Sequence, residues 1–143
     1  TIDKAVMLGG LAERECITYH LPIHGYRMDM NPNTDHMAHY GLNKDEVLAI
    51  ADEKGRWKGW LSEKLQIHKS QVVWAVRKEW ARTVEDVLAR RTRALFLDAR
   101  ESLRMAPEVA ELMARELGQN RSWKRNQIKA FEQLAKNYFF DEM

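Results

Sequence analysis

The uneven distribution of glycine and proline constrains the fold of this chain more than any other feature of its sequence. Both residues recur through residues 6–33, whereas they become sparse from about Thr34 onward and apolar residues then repeat at helical spacing. Proline lacks a backbone donor and glycine loses the most conformational entropy when it is ordered, so neither suits a long helix. The sequence therefore predicts an irregular first segment followed by helices.

The first segment contains a short alternation of apolar and polar residues. Its apolar members are Ile17, Tyr19, Leu21 and Ile23. An alternation of period two is typical of a strand, so we expect an extended or irregular arm with at most one short strand. Because 143 residues suit one domain, we predict a tether over residues 1–33 and a single helical domain over residues 34–143.

The helical domain is predicted to begin with two short helices. The first runs from His36 to Tyr40 and stops at Gly41, and Asn43 then caps a second helix that ends at Gly55. Asparagine is a favoured N-cap residue and glycine is a favoured residue after a helix end, which fixes these limits.

A helix that begins at Ser70 is predicted to run through the core. Ser70 suits the N-cap position, and Val72, Val76 and Trp80 then follow at a spacing of four residues. Side chains at this spacing lie on one face of a helix, so the stripe is expected to face the core.

The next predicted helix begins at Thr83 and continues through residue 97. Thr83 and Asp86 have the spacing of a capping box, with aspartate in place of the usual glutamate or glutamine. Its shared apolar face consists of Val84, Val87, Leu88 and Leu95.

Pro107 suits the first turn of a further helix that Gly118 ends, and a last helix begins near Ser122.

Together these patterns predict an all-α fold, a small multi-helix orthogonal bundle preceded by an extended or irregular N-terminal arm.

Composition excludes several functions. Lysine and arginine exceed aspartate and glutamate by only 23 to 21, so the charge gives no reason to expect nucleic acid as a partner. The single cysteine, Cys16, permits no internal disulfide and fits a reducing, cytoplasmic location. No run of about eighteen apolar residues is present, so no membrane span is expected.

The histidines and the cysteine are the natural candidates for a metal site. Cys16, His20 and His24 form a C-x3-H-x3-H run, and His36 and His39 follow. In an extended arm, four residues separate two imidazoles by roughly 13 Å, which is too far to share an ion. Two histidines on one helix do not complete a site, so no metal is expected.

No pattern in the chain supports catalysis by the chain alone. Gly9 and Gly10 are not followed by the glycine spacing of a dinucleotide fingerprint, and no nucleophile elbow is present. We therefore expect neither a catalytic residue nor a bound cofactor in this chain.

The densest polar motif consists of Arg90, Arg91, Thr92 and Arg93. On a helix these side chains point in different directions. Asp86 and Arg90 have the spacing of a surface ion pair. Arg91 falls on the predicted apolar face, where an unpaired guanidinium is costly, so it needs a partner. That partner is either a structural contact, within this domain or with a neighbouring one, or an anionic ligand.

The five tryptophans offer a second set of candidates. Trp80 fits the core stripe, whereas Trp57 and Trp60 lie in a basic segment that is ambiguous between a turn and a short helix. Trp57 and Trp60 are therefore the candidates for an interface with a partner.

Residues 83–97, TVEDVLARRTRALFL, resemble the signature segment of the C-terminal helical domain of FAD-dependent glycerol-3-phosphate dehydrogenases. The resemblance continues upstream in residues 36–41, HMAHYG, and 73–80, VWAVRKEW. It continues downstream in residues 106–118, APEVAELMARELG, and 139–143, FFDEM. It covers the helical domain well and the arm less well.

The resemblance implies an enzyme that oxidises sn-glycerol 3-phosphate to dihydroxyacetone phosphate on FAD and passes electrons to a quinone. Flavin and substrate residues belong to the preceding portion, so none is carried over to this chain. Residues 1–33 would link to that missing FAD and substrate domain, on which the helical domain would pack. The motif residues Arg90 to Arg93 are then interdomain candidates with a structural role.

For the full-length enzyme, the resemblance also leads us to expect a homo-oligomer and peripheral contact with the cytoplasmic membrane. A different class of function stays open at this point. The chain would then be a free-standing helical interaction module that uses Trp57, Trp60 and exposed arginines. The first residue, Thr1, fits either an excised fragment or the loss of an initiator methionine.

Overall fold

The computed structural model describes residues 2–12, 14–23, 25–26 and 35–139. Its α-helices are α1 (Ile2–Leu8), α2 (Lys44–Glu53), α3 (Lys69–Lys78), α4 (Ala94–Leu97), α5 (Ala99–Glu116) and α6 (Arg121–Ala135). Short 3-10 helices cover Ala38–Asn43, Gly55–Trp57 and Lys136–Tyr138, and a π-helix covers Asp86–Arg91. The predicted all-α class is confirmed, apart from one antiparallel hairpin of β1 (Trp60–Ser62) and β2 (Ile67–His68).

Helix α3 lies at the centre of the core. Every residue from Ser70 to Val76 is buried, and α3 packs against α2 on one side and α5 on the other. Helix α6 closes the far side of α5 and buries Phe131 and Ala135. A helix that is apolar nearly all round must be covered from several directions, which is why the shorter elements gather around α3.

The N-cap of α3 is His68, so the prediction of Ser70 was wrong. The His68 backbone N–H donates to Gln71 Oε1 at 2.6 Å, which is one half of a capping box, and Nδ1 of the ring lies 3.3 Å from the Ser70 N. Ser70 is fully buried in the first turn, where its hydroxyl lies 2.8 Å from His68 Nδ1. Serine is a favoured N-cap residue, but Ser70 lies within the buried first turn of α3 and packs there instead.

Helix α3 ends earlier than the stripe of apolar residues predicted. The helix stops at Lys78, and Trp80 adopts a left-handed φ of 59° and is 78% exposed. Val72 and Val76 face the core as expected, but Trp80 lies outside the helix and outside the core. The periodic pattern carries no information about where the C-cap falls.

The predicted helix over residues 83–97 is confirmed at its start and broken in its middle. Thr83 N–H donates to Asp86 Oδ2 at 2.9 Å, and Asp86 N–H donates to Thr83 Oγ1 at 3.1 Å, which is the predicted capping box. The chain then forms the π-helix, and Thr92 ends it by donating both its N–H and its hydroxyl to Val87 O at 2.9 Å. Arg93 follows with φ 59° before α4 begins.

Helix α5 is longer than predicted, because Pro107 lies inside it instead of in its first turn. Asp98 caps the helix by accepting the Glu101 N–H at 2.9 Å. Proline removes one helical donor, that to the Leu103 carbonyl, but the helix continues across it to Glu116. Gly118, with φ 65°, ends the helix as predicted.

The ambiguous segment before the core helix forms a 3-10 turn and then the hairpin. Hydrogen bonds between β1 and α5 help to hold the hairpin on that helix. Ser62 donates to Glu101 Oε1 at 2.5 Å, and Arg104 Nη2 donates to Leu61 O at 2.8 Å. The Arg104 guanidinium and the Ser62 hydroxyl lower the pKa of Glu101 to about 2.

The N-terminal arm is irregular as predicted, but it begins with α1, which the prediction lacked. The alternating residues do not form a strand. Residues 17–20 form turns, with the Leu21 N–H donating to Thr18 O at 3.3 Å, and no neighbouring strand pairs with them in the described part of the arm. The predicted boundary at residues 33 and 34, and His24, lie outside the described residues.

Among the described residues, one backbone hydrogen bond joins the arm to the helical domain. The Leu42 N–H donates to Gly25 O at 3.0 Å, beside Gly41. A Cβ on Gly41 would lie 1.6 Å from Gly25 O, and Gly41 adopts φ 54° and ψ −125°, which only glycine tolerates. Gly41 therefore does more than stop the short helix, because it lets the arm dock there.

Candidate interdomain surface

An open cleft of about 540 Å³ brings the arginine motif together with the histidine segment. Arg91, Thr92 and Arg93 line it together with His36 and His39. These two groups are more than fifty positions apart in the sequence, and both belong to the segments that carry the family resemblance. Three of the four predicted motif residues therefore share one site.

The π-helix is the reason that the motif reaches the cleft. A π-helix inserts an extra residue into a turn, and such insertions are rare and frequent at functional sites. Here the insertion ends at Thr92, and the left-handed Arg93 redirects the chain into α4. Gln66, which also lines the cleft, has a left-handed φ of 53°. Two of the three non-glycine residues with positive φ in the described chain thus lie at this site.

Arg91 has a partner within this domain, which is one of the alternatives that the sequence left open. Its Nε and Nη2 donate to Glu79 O at 3.2 and 2.6 Å, and its Nε lies 3.5 Å from Glu79 Oε2. The side chain is 34% exposed, so the prediction that it lies on the apolar face was wrong. The π-helix shifts the register and turns Arg91 outward, towards the end of α3.

Arg90 does not line the cleft. It donates to Glu85 Oε1 at 2.5 Å and to Asp86 Oδ1 at 2.9 Å, which confirms the predicted pair with Asp86. Burial raises the pKa of Asp86, but hydrogen bonds from Arg82 and Thr83, with the charge of Arg90, leave that pKa below its ordinary value. Arg90, the first residue of the motif, is therefore paired outside the cleft and is not available to a ligand there.

Arg93 is exposed and has no acidic partner among the described residues. It stands at the rim of the cleft beside two exposed apolar side chains of α4, Phe96 at 57% and Leu97 at 68%. The Phe96 ring packs edge-on against Tyr138 at 5.6 Å. A cationic and apolar rim of this kind suits contact with another protein surface.

The two histidines of the cleft do not form a metal site with other described residues. No group of three histidine, cysteine or carboxylate side chains lies close enough to hold an ion in the part of the chain that the structure describes. His36 packs against the Trp60 ring at 4.9 Å, and burial lowers the pKa of His39 below its ordinary value. A largely neutral His39 adds hydrogen-bonding capacity to the cleft and little charge at neutral pH.

Of the two tryptophans proposed as interface residues, only Trp60 reaches the surface. Trp57 is 1% exposed, so its assignment to an interface was wrong. Lys54 and Arg77 cover its ring at 4.4 and 4.9 Å from the centroid. The ring is thus a core residue covered by cations from outside the basic segment that suggested an interface. Trp60 is 39% exposed, and its ring lies near His36 and His68.

The arm carries a second surface, which is apolar. Its large exposed side chains are Ile2, Met7, Leu8, Leu11, Ile17, Tyr19, Leu21, Ile23 and Tyr26, each at least 53% exposed. Residues of helix α1 and of the segment 12–18 line an open cavity of about 880 Å³. Apolar surface on this scale marks a contact site in a folded protein.

The sequence pattern gave no sign of Phe96 and Leu97 as surface residues. Both follow the motif in an apolar run, but neither belongs to the predicted apolar face of Val84, Val87, Leu88 and Leu95. The break at Arg93 changes the direction of the chain before they are reached, and a left-handed arginine has no reliable signal in a single sequence. No described helix has the length and apolar character needed to cross a membrane.

Residues 4–127 match the family described as the C-terminal domain of alpha-glycerophosphate oxidase. The chain is 31% identical over 136 residues to a probable mitochondrial glycerol-3-phosphate dehydrogenase of Dictyostelium discoideum, covering 85% of this chain and 21% of the relative. It is 32% identical over 104 residues to a mitochondrial glycerol-3-phosphate dehydrogenase of Arabidopsis thaliana, covering 72% and 16%. No solved structure matches the chain.

The chain thus spans about a sixth to a fifth of the length of these two curated relatives. The matched residues include the described parts of the arm from Lys4 onward, the cleft and the first seven residues of α6. The match and the predicted resemblance agree on the same segment of the same enzymes. The chain belongs to the family of C-terminal domains of alpha-glycerophosphate oxidase.

Proposed function

We propose that this chain is the accessory helical domain of an FAD-dependent sn-glycerol-3-phosphate dehydrogenase and packs on the catalytic portion of that enzyme. The whole enzyme would convert glycerol 3-phosphate to dihydroxyacetone phosphate and pass the electrons to a quinone. Its expected location is the cytoplasmic side of a membrane, with peripheral contact and a homo-oligomeric state as further parts of the proposal.

The exposed apolar surface of the arm is the observation that carries this proposal. Ile17, Ile23 and Leu8 are each more than 80% exposed. Burying an apolar side chain of this size is worth about 1.5–3 kcal/mol, so the arm as a whole has much to gain from a covering surface. In relatives about five times as long, the remaining portion of the enzyme is the natural cover.

The chain's own residues do not fit FAD. The only adjacent glycine pair, Gly9 and Gly10, follows the C-terminal end of α1. A pyrophosphate requires a glycine turn before the N-terminus of a helix, where free N–H groups point at the anion. The flavin and the substrate are therefore assigned to the catalytic portion, and this chain is assigned no chemical step.

Glycerol-3-phosphate-dependent dye reduction tests the proposal. The chain with added FAD is compared with a protein extended upstream to its natural start. We expect activity only in the extended protein. Activity in neither protein would remove the support for this enzyme, and activity in the chain alone would contradict the assignment of catalysis to the other portion.

A further inference from the structure

Trp80 is the most exposed of the five tryptophans, at 78%, and it adopts a left-handed φ of 59°. This conformation is unfavourable for any residue with a Cβ, because the Cβ approaches the following carbonyl oxygen. An exposed aromatic side chain gains little burial to offset that strain. Strained residues of this kind persist where the surrounding structure holds them, and they are frequent at functional sites.

Both sides of Trp80 are fixed by hydrogen bonds. On one side, Arg91 holds Glu79 O with two N–H groups at 3.2 and 2.6 Å. On the other side, the Ala81 N–H donates to Ala75 O at 3.0 Å, at the end of α3. Ala81 is fully buried, so the chain enters the core directly after the tryptophan. The indole is left on the outside of a tightly held turn.

The surroundings of the indole are cationic. The Arg82 guanidinium lies 5.2 Å from the Trp80 ring centroid, and Arg82 Nη1 donates to Val76 O at 3.2 Å, which orients it. The Lys78 ammonium, two residues before Trp80 in the chain, lies 5.9 Å from the Trp74 ring centroid. The neighbouring carboxylate, Glu79, accepts from Trp74 Nε1 at 3.0 Å and faces Arg91, so its charge is already compensated.

An aromatic ring with a cationic rim is complementary to an apolar pocket bordered by carboxylates. Tryptophan and arginine are the residues most enriched among those that dominate binding energy at protein interfaces. The rigid turn also fixes the indole before binding, which lowers the entropic cost of association.

We propose that Trp80 anchors this domain in an apolar pocket with an acidic rim on the catalytic portion of the same enzyme, and that Arg91 positions it. The proposal rests on the proposed function, since that portion is the partner. It gives motif residue Arg91 a role that does not involve substrate or cofactor. Trp80 is the contact residue, and Arg91 acts through the Glu79 carbonyl.

Oxidative footprinting read by mass spectrometry tests this proposal. The chain alone is compared with the protein extended upstream to its natural start. We expect the modification of Trp80 to slow by about tenfold or more in the extended protein, because a contact residue at the centre of an interface is desolvated. Trp57, which is 1% exposed, serves as the internal control that stays protected in both proteins.

Tyr19, which is 81% exposed, reports separately on the arm. Protection of Tyr19 without protection of Trp80 would overturn the anchor and leave the proposed function intact. Protection of neither residue would overturn both. Protection of Trp80 that appears only after vesicles of equal parts phosphatidylcholine and phosphatidylglycerol are added would also overturn the anchor, because it would assign the tryptophan to a lipid surface.

Two variants separate contact from stability. Trp80→Gly removes the left-handed strain, so the chain alone should melt no lower than the wild type, while the extended protein should melt lower. Arg91→Gln should reduce the protection of Trp80 in the extended protein, and Arg90→Gln should leave it unchanged, since the hydrogen bonds of Arg90 among the described residues go to Glu85 and Asp86 and not to the Trp80 turn. Equal melting shifts for Trp80→Gly in both proteins, or equal protection in both arginine variants, would contradict the proposal.

Discussion

At the scale of single residues, Arg91 and Gly41 each hold together parts of the chain that are distant in sequence. Arg91 joins the motif to the end of α3, and Gly41 joins the domain to the arm. The sequence marked Arg91 through its position in an apolar pattern, and it correctly predicted the need for a partner. It did not identify the partner, because that partner is a backbone carbonyl, which every residue offers.

Replacing Arg91 tests the value of its contact with Glu79. Arg91→Gln should lower the free energy of unfolding by about 1–2 kcal/mol, because a charged hydrogen bond to a carbonyl is lost from a partly exposed site. Urea denaturation of this chain measures the change. Arg90→Gln is the matched control, with an expected cost of a few tenths of a kcal/mol for exposed pairs. Equal losses of unfolding free energy in the two variants would show that the contact of Arg91 with Glu79 stabilises the fold no more than the exposed pairs of Arg90.

Replacing Gly41 tests how the arm is attached. Gly41→Ala should lower the free energy of unfolding by about 1–3 kcal/mol, because the added Cβ meets Gly25 O and the backbone conformation excludes it. Hydrogen exchange of the Leu42 amide should accelerate, since that N–H donates to Gly25 O. Gly55→Ala is the control, because a Cβ there meets open space. An unchanged exchange rate at Leu42 would refute the contact.

At the scale of elements, local signals predicted helix starts better than helix ends. Thr83 and Asp86 form the expected capping box because both partners are only three residues apart. Trp80 left its predicted helix because α3 ends at Lys78, where a residue thirteen positions further on, Arg91, holds the Glu79 carbonyl. Trp57 was misplaced for a similar reason, since the cations that cover it come from two different elements.

The junction between the hairpin and α3 should make stability depend on pH through His68. Its Nε2 accepts the Gly59 N–H at 3.0 Å, so protonation of the ring would remove an acceptor. Burial, with the nearby charges of His36 and Lys69, lowers the pKa of His68, and burial also lowers the pKa of His39. A histidine whose folded pKa lies below its unfolded value gives stability that is complete above the unfolded pKa and is lost as the pH falls.

We therefore expect the free energy of unfolding to fall between about pH 7 and about pH 5.5, before the carboxylates titrate. Urea denaturation across this range measures the loss. His68→Gln keeps an acceptor but cannot be protonated, so it should flatten part of the dependence. His20→Gln serves as the control, because His20 is exposed in the arm. The same pH dependence in all three proteins would exclude His68 as its source.

At the scale of the whole molecule, the chain divides into a well-packed helical domain and an arm whose apolar side chains face outward. The core of the helical domain is complete around α3, and its fold class was predictable from helical spacing alone. The exposure of Ile17 and its neighbours was not predictable, because an alternating pattern normally indicates one buried face. Exposed apolar side chains of this kind are expected in a domain that corresponds to about a fifth of the length of a relative.

Thermal unfolding of Ile17→Asp in two contexts tests most directly whether the arm packs on the catalytic portion. Ile17 is 88% exposed in this chain, so the substitution should change the stability of the chain alone by less than about 0.5 kcal/mol. In the protein extended upstream to its natural start, it should cost about 2–4 kcal/mol, because a charge would then be buried in an apolar contact. Lys4→Gln, an exposed polar change in α1, should be nearly neutral in both. A large loss in the extended protein alone is the predicted result, and equal, small effects in both proteins would contradict the account.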